Sequence, residues 1–308
     1  MIQYSDAVSQ QFLANLQLLL QKLGTTQTQL SSGTRISQPS DAPNSVGDVL
    51  QLESDIGRVT QVSSNLNLVK GEVDTSESAL EGATQLLDQA SVIAAQGVGG
   101  AVSAATRATL SQQAGQILSS LVSASQTQFN GQYVFSGDQP SSASYQVDLG
   151  SPNGVDRLIS TQSTRLIQDA SGITFAVSET AQDIFDHRNS DDSLANDNVF
   201  AAVNNLRVAL ANNDQTGISS AIDSIKAAQD YLSQQLAFYG GIQDRVASAI
   251  DVAQKFQLQY QTSLSQEKDT DVAAATIALA QEQTSYQAAI QAESTIPKTS
   301  LFSFLSGS

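Results

Sequence analysis

The apolar positions of this chain fall into stripes at heptad spacing, and the longest stripe runs from Val49 to Ala90. Leu52, Val59, Leu66, Val73, Leu80 and Leu87 recur every seven residues. Ile56, Val62, Val69, Ala83 and Ala90 lie three or four residues from them, with one gap at Ser76. This is the seam of a helix whose apolar face is narrow. At ~1.5 Å rise per residue the helix is about 60 Å long, more than a compact globule can bury, so it needs partners of matching length. One lies late in the chain. Ile218, Ile225, Leu232, Tyr239, Val246, Ala253 and Tyr260 are again seven apart, with Ile222, Leu236, Ile250 and Leu264 as a companion row. Gly240-Gly241 interrupts this second seam, and each Gly costs about 1 kcal/mol relative to Ala in a helix interior, so a kink or break is expected there.

Shorter helical patterns flank these two. Residues 7–31 carry Phe12, Leu16, Leu19, Leu23 and Leu30 at helical spacing, with Leu13 and Leu20 widening the face. Ser31-Ser32-Gly33 supplies a stop, with Gly33 able to take the left-handed conformation, and Pro39 and Pro43 keep 34–44 out of a helix. Gly97-Val98-Gly99-Gly100 ends the first long helix. A third follows over about 103–128, with Leu110, Ala114, Ile117, Leu121 and Ala124 on one face, and a short one carries Val199, Val203, Leu206 and Leu210. The last pattern covers 271–293 with Val272, Ala275, Leu279, Tyr286, Ala289 and Ile290. Pro297 ends it, and Leu301, Phe302, Phe304 and Leu305 form an apolar tail.

From Asn130-Gly131 the period shortens. Residues 132–135, 145–149, 157–160, 165–168 and 173–177 are short alternating or β-branched runs, separated by Gly137-Asp138, Pro152-Asn153-Gly154 and Ser171-Gly172. The fold class is therefore mainly α: an elongated antiparallel helical bundle or coiled-coil shaft with a small β-rich domain inserted and helical termini. The expected segments are an N-terminal assembly helix and linker (1–44), shaft (45–131), β-rich insertion (132–197), shaft (198–264), and a C-terminal assembly helix and tail (265–308). The acidic, polar stretch 183–198 reads as a linker back to the bundle. Leu52, Val59, Leu66, Val73, Leu80, Leu87, Ile225, Leu232 and Val246 are the expected shaft core. The end stripes, which have no evident core within the chain, are expected to bury against other subunits.

Composition narrows the function. The net charge is −16 and no basic run appears, which argues against a nucleic-acid partner or an anionic membrane surface. Cysteine is absent, so there is no disulfide frame, thiolate metal site or Cys nucleophile. The first 23 residues lack a secretory signal layout, and their Leu-rich part is too interrupted by Gln to span a bilayer.

Candidate chemistry is sparse. Glu267, Asp269 and Asp271 precede the last helix, where negative charge complements a helix N-terminus and Asp can cap it. Asp191-Asp192 reads as a solvated loop. His187, the one histidine, has an Asp neighbour but no hydrolase or metalloprotease pattern, and Gly97–Gly100 lacks the strand and Lys of a phosphate loop. No catalytic, cofactor or metal site emerges.

Three stretches resemble the flagellin superfamily. They are Leu30-Ser31-Ser32-Gly33-Thr34-Arg35-Ile36 with Pro39-Ser40-Asp41-Ala42-Pro43, Asp269-Thr270-Asp271 leading into the Ala-rich last helix, and Asn130-Gly131-Gln132-Tyr133-Val134-Phe135-Ser136-Gly137. Within the superfamily they are closest to the hook-associated protein 3 branch, the hook–filament junction proteins. Ala42 departs from that branch, which has a second Asp there. The resemblance implies a non-enzymatic component of the extracellular bacterial flagellum, exported unfolded through a type III channel without a cleaved signal peptide. Its partners would be other copies of itself, a neighbouring hook-associated protein, flagellin and an export chaperone. Terminal helices would order on assembly through Phe12, Leu16, Leu19, Leu23, Leu30, Arg35 and Ile36 at one end, and Val272, Ala275, Leu279, Tyr286 and Ile290 at the other. The alternatives are flagellin itself, or a secreted adhesin or enzyme with its activity in 132–197.

Overall fold

Two helices of more than fifty residues dominate the computed structural model, which describes residues 2–160 and 165–295. In chain order the helices are α1 (Ile2–Ser32), α2 (Val46–Val98), α3 (Ala104–Ser125), α4 (Ala181–Phe185), α5 (Val199–Ala211), α6 (Gln215–Lys268) and α7 (Val272–Thr295). Between α3 and α4 lie β1 (Gln128–Phe129), β2 (Gln132–Tyr133), β3 (Tyr145–Val147), β4 (Val155–Arg157), β5 (Leu166–Gln168) and β6 (Thr174–Ala176). The chain forms two compact units: the first comprises Met1–Arg58 with Gln257–Ser308, the second Val59–Phe256.

In the second unit α2 and α6 run antiparallel. Gln229 Nε2 donates to Asp88 Oδ1 at 2.8 Å and Gln243 Nε2 to Asp74 Oδ1 at 2.9 Å, so partners descend one helix as they climb the other. Val59, Leu66, Val69, Val73, Leu80, Ala83, Leu87 and Ala90 are buried. Of the residues expected in the shaft core, Leu52 is half-buried and the other eight are buried. Ser76 fills the gap in the seam and is itself buried, its hydroxyl donating to Glu72 O at 2.9 Å. That back-bond removes the cost of an unpaired hydroxyl at a core position.

Along α6 the fully buried companion row is Ala221, Ala228, Ile242 and Ala249, one residue before the expected row. Ile222, Leu236 and Ile250 flank the core half-buried. Three of the four positions are alanines, and the larger residues close the side of the seam. No break occurs at Gly240-Gly241: α6 is continuous there. Tyr239 and Ile242 are buried on either side of the pair, and this packing outweighs the Gly propensity cost.

Helices α3 and α5 pack on each other and complete the helical layer. Arg107 ties the turns at one end of it together. Its guanidinium donates to Gly97 O at 2.8 Å, to Gly99 O at 2.9 Å and to Asn213 Oδ1, serving the orphan carbonyls at the end of α2. A Cβ at Gly97 would meet the end of the buried Leu210 side chain, which would have to shift to admit it.

The inserted region is three separate two-stranded antiparallel ladders, β1-β2, β3-β4 and β5-β6. Asn130-Gly131 forms the β1-β2 turn with both residues at positive φ, the backbone a two-residue hairpin requires. Stretch 183–198 is not a solvated linker. It includes the end of α4, the fully buried Asp186, and Asn198, which caps α5. Its charge suggested solvent because sequence alone does not show how many donors converge on one carboxylate.

Replacing Leu66, which is 0% exposed, with Asp should cost several kcal/mol, since a buried charge there has no partner. The same change at Leu68, 55% exposed on the same helix, should stay within about 0.5 kcal/mol. Thermal melting of the two variants checks both.

Candidate assembly surfaces

The chain ends meet in the first unit through a backbone clasp. Gly33 takes φ +72 after the last turn of α1, its amide still bonded to Gln29 O at 2.9 Å. This turns the chain so that Arg35 N donates to Lys268 O at 2.7 Å, Thr270 N to Gly33 O at 2.9 Å, and Thr34 and Asp269 form an antiparallel bridge. Side chains reinforce it. The Arg35 guanidinium donates to Glu267 O, Arg35 and Glu267 form an ion pair at 3.7 Å, and Lys268 Nζ reaches Glu53 at 2.8 Å. Ile36 is buried at the base. Asp41 accepts from the Ser37 and Gln38 amides at 2.9 and 2.8 Å, ordering the proline-containing connection. Asp271 caps α7 through Ala274 N at 3.0 Å. Glu267 lies in the last turn of α6 and serves the clasp instead of the cap.

Beyond the clasp α1 packs against α7. On α1, Phe12, Leu16, Leu19, Leu23, Thr26 and Leu30 are shielded, and on α7 Ala275, Ala278, Leu279, Glu282, Tyr286 and Ala289. Both sets follow the three-four alternation of a coiled-coil seam. A second apolar set stays uncovered: Leu13, Leu18 and Leu20 on α1, and Val272, Ile277 and Ile290 on α7. The α1 stripe read from the sequence therefore lies on the side shielded within the chain. On α7, Ala275, Leu279 and Tyr286 lie in the seam, while Val272 and Ile290 lie outside it. The tail from Pro297, with Leu301, Phe302, Phe304 and Leu305, lies outside the described residues.

Residues 5–140 match the family model of the bacterial flagellin N-terminal helical region. Solved structures share the fold. A protein of Vibrio parahaemolyticus described as a flagellar hook-associated protein aligns with a TM-score of 0.64 at 19% identity, over 74% of this chain and 100% of that one. Hook-associated protein-3 of Legionella pneumophila aligns at 0.61 and 13%, over 71% and 98%. FlgL of Bacillus cereus aligns at 0.55 and 14%, over 71% and 100%. Residues 5–140 are thus similar to a flagellin N-terminal region, and the fold is shared with hook-associated proteins. No curated protein matches it by sequence.

The flagellin-like signatures now have a physical meaning. Leu30–Ile36 and Asp269–Asp271, more than two hundred residues apart, are the two halves of one clasp. The third, Asn130–Gly137, is the tight turn into the insertion, followed by Val134 and Phe135 in the core.

Beyond the signatures, sequence reasoning missed the centre of the insertion. Asp186 Oδ1 accepts from Asn153 and Asn198 Nδ2, each at 2.8 Å. Its Oδ2 accepts from Arg188 Nε at 2.9 Å, Tyr145 OH at 3.1 Å and Arg157 at 3.3 Å. Phe200 lies between Tyr145 and Phe185 with ring centroids 5.2 and 5.7 Å away. Burial first, then the Asp186 charge, hold the Tyr145 hydroxyl well above the usual phenol range, so it acts as a fixed donor. His187 is bonded to Asp197 at 2.7 Å and stacked on Tyr231, 4.5 Å between centroids. These groups are used on one another, and among the described residues no cluster of His, Asp and Glu is arranged to hold a metal. No described helix is long and apolar enough to cross a membrane.

Two outcomes follow from this geometry. Gly33→Ala places a Cβ at a left-handed position and should cost about 1 kcal/mol, read as faster hydrogen exchange at the Arg35 and Thr270 amides. Glu179 has a buried oxygen without a partner, and burial first, then Asp183, raise its carboxyl above the ordinary range. A raised carboxyl pKa favours the folded state at pH below the unfolded value, and that contribution is lost as pH rises through the folded one. Glu179→Gln should therefore raise the melting temperature at pH 7 and leave it nearly unchanged at pH 4.

Proposed function

We propose that this chain is a non-enzymatic structural protein of the bacterial flagellum that joins hook to filament and assembles through its paired terminal helices. The observation that supports this most directly is the double apolar character of α1 and α7. Each helix has one set shielded in the seam between them and another left uncovered by its own chain. Exposed Leu and Ile on a helix pair that already has its seam are surplus to folding and suited to neighbouring subunits. The neighbours are other copies of the chain, an adjoining hook-associated protein and flagellin. An export chaperone holds the termini beforehand, and the protein is exported to the cell exterior. Nucleic acid and membrane are not partners in this reading.

Flagellin itself is the second reading, favoured by the match over residues 5–140. Immunogold labelling of isolated flagella separates the two: label confined to the base of the filament supports a junction protein, and label along its length supports a filament subunit. Deleting residues 1–31 or 271–308 should leave the melting of the second unit largely unchanged while abolishing incorporation into flagella. Collapse of the whole helical signal would overturn the division of labour between termini and helical body.

A further inference from the structure

In the seam between α1 and α7 a polar residue of one helix meets a polar residue of the other. The α1 positions are Phe12, Leu16, Leu19, Leu23, Thr26 and Leu30, and the α7 positions include Ala275, Leu279, Glu282, Tyr286 and Ala289. Thr26 Oγ1 donates to Glu282 Oε1 at 3.3 Å, and Glu282 Oε2 is buried with no partner. The half-shielded Gln29 is engaged by Arg35 O at the clasp, and the other positions named are aliphatic, aromatic or Ala, a surface that pairs in several registers and with several faces. Both helices also present a second apolar set outside the seam.

We propose that Thr26 and Glu282 are specificity-determining residues that fix which face and which register α1 and α7 use to pair with each other. A shift by one heptad places Glu282 opposite Leu19 in one direction and beyond the end of α1 in the other, and leaves Thr26 opposite Ala275 or Ala289. Turning the inner face of either helix toward a neighbour's apolar face would press Thr26 or Glu282 against aliphatic groups. Each alternative strands a polar group in an apolar seam, while the native pairing joins the two. The clasp at Gly33–Ile36 restrains only one end of the pair, and only within one chain. The inference rests on the proposed function for its purpose, but pairing is read on the chain itself, independently of flagellar incorporation.

The chain contains no cysteine, so introduced pairs report pairing without ambiguity. One heptad from the polar contact the native register brings position 19 opposite 289. Full-length chain with Leu19→Cys and Ala289→Cys should form the intramolecular disulfide on mild oxidation. Phe12→Cys with Ala289→Cys, a pair opposed only after a slip of one heptad, should give less than about a tenth of that yield. With Thr26→Leu and Glu282→Leu added, helical content should be retained or increased, and the yield of the slipped disulfide should rise at least fivefold at the expense of the native one. Glu282→Gln, which keeps an acceptor for Thr26, should preserve the wild-type pattern. The proposal is overturned if the background chain forms no intramolecular disulfide. It is equally overturned if the leucine variant keeps the wild-type partition or loses helical content, because apolar substitution in the seam must then be doing something other than removing specificity.

Discussion

A helix of more than fifty residues with a narrow apolar stripe has to be covered along its length, and most of this structure answers to that requirement. Isolated helices gain little from propensity, and the stability of α2 and α6 comes from their shared seam. The seam admits only groups that are apolar or internally satisfied. Ser76 qualifies because its hydroxyl returns to its own helix. Ala221, Ala228 and Ala249 qualify because they bury no polar side-chain group. The same requirement explains why Gly240-Gly241 does not break α6, since the flanking Tyr239 and Ile242 are anchored in the core.

Where periodicity carries the information, the fold is legible from sequence. Both long helices, α3, α5 and the change of regime at Asn130-Gly131 are visible as spacing, because burial on a helix repeats and a type of residue recurs with it. Two kinds of feature escape. The first is the choice between adjacent rows, as on α6, where Ile222 and Leu236 look more core-like than Ala221 and Ala228 but lie at the flank. Hydrophobicity per residue cannot show which row a partner backbone approaches. The second is any site where polar groups converge from distant segments. Asp186 takes donors from Tyr145, Asn153, Arg157, Arg188 and Asn198, and none of these is informative alone.

That convergence gives the insertion its integrity. Three ladders of two or three residues per strand cannot hold a domain together by backbone pairing. The aromatic groups Phe135, Phe185 and Phe200 supply a core, and the buried carboxylate, satisfied from several segments, ties the surrounding loops. Removing a single donor leaves the others in place, but removing the carboxylate leaves two arginines facing the vacancy.

The terminal helices pose the opposite problem. In the helical body, one apolar face per helix meets one environment, and hydrophobicity alone is a sufficient instruction. Around α1 and α7 uncovered apolar residues lie on more than one side of the seam, and an instruction based on hydrophobicity alone would also admit pairings through them. A distinction must be made by something that hydrophobicity does not encode, and among the described residues Thr26 and Glu282 are the polar groups that meet between these helices. Their pair is weak in hydrogen-bond terms, and it leaves one carboxylate oxygen unsatisfied. A sequence shaped for pairing strength alone would place Leu at both positions. Keeping them polar trades stability for discrimination, which is of value only if competing apolar surfaces are close at hand. The polar pair and the uncovered Leu13, Leu18, Leu20, Val272, Ile277 and Ile290 are thus two sides of one argument: the second set makes alternative pairings available, and the first makes them costly.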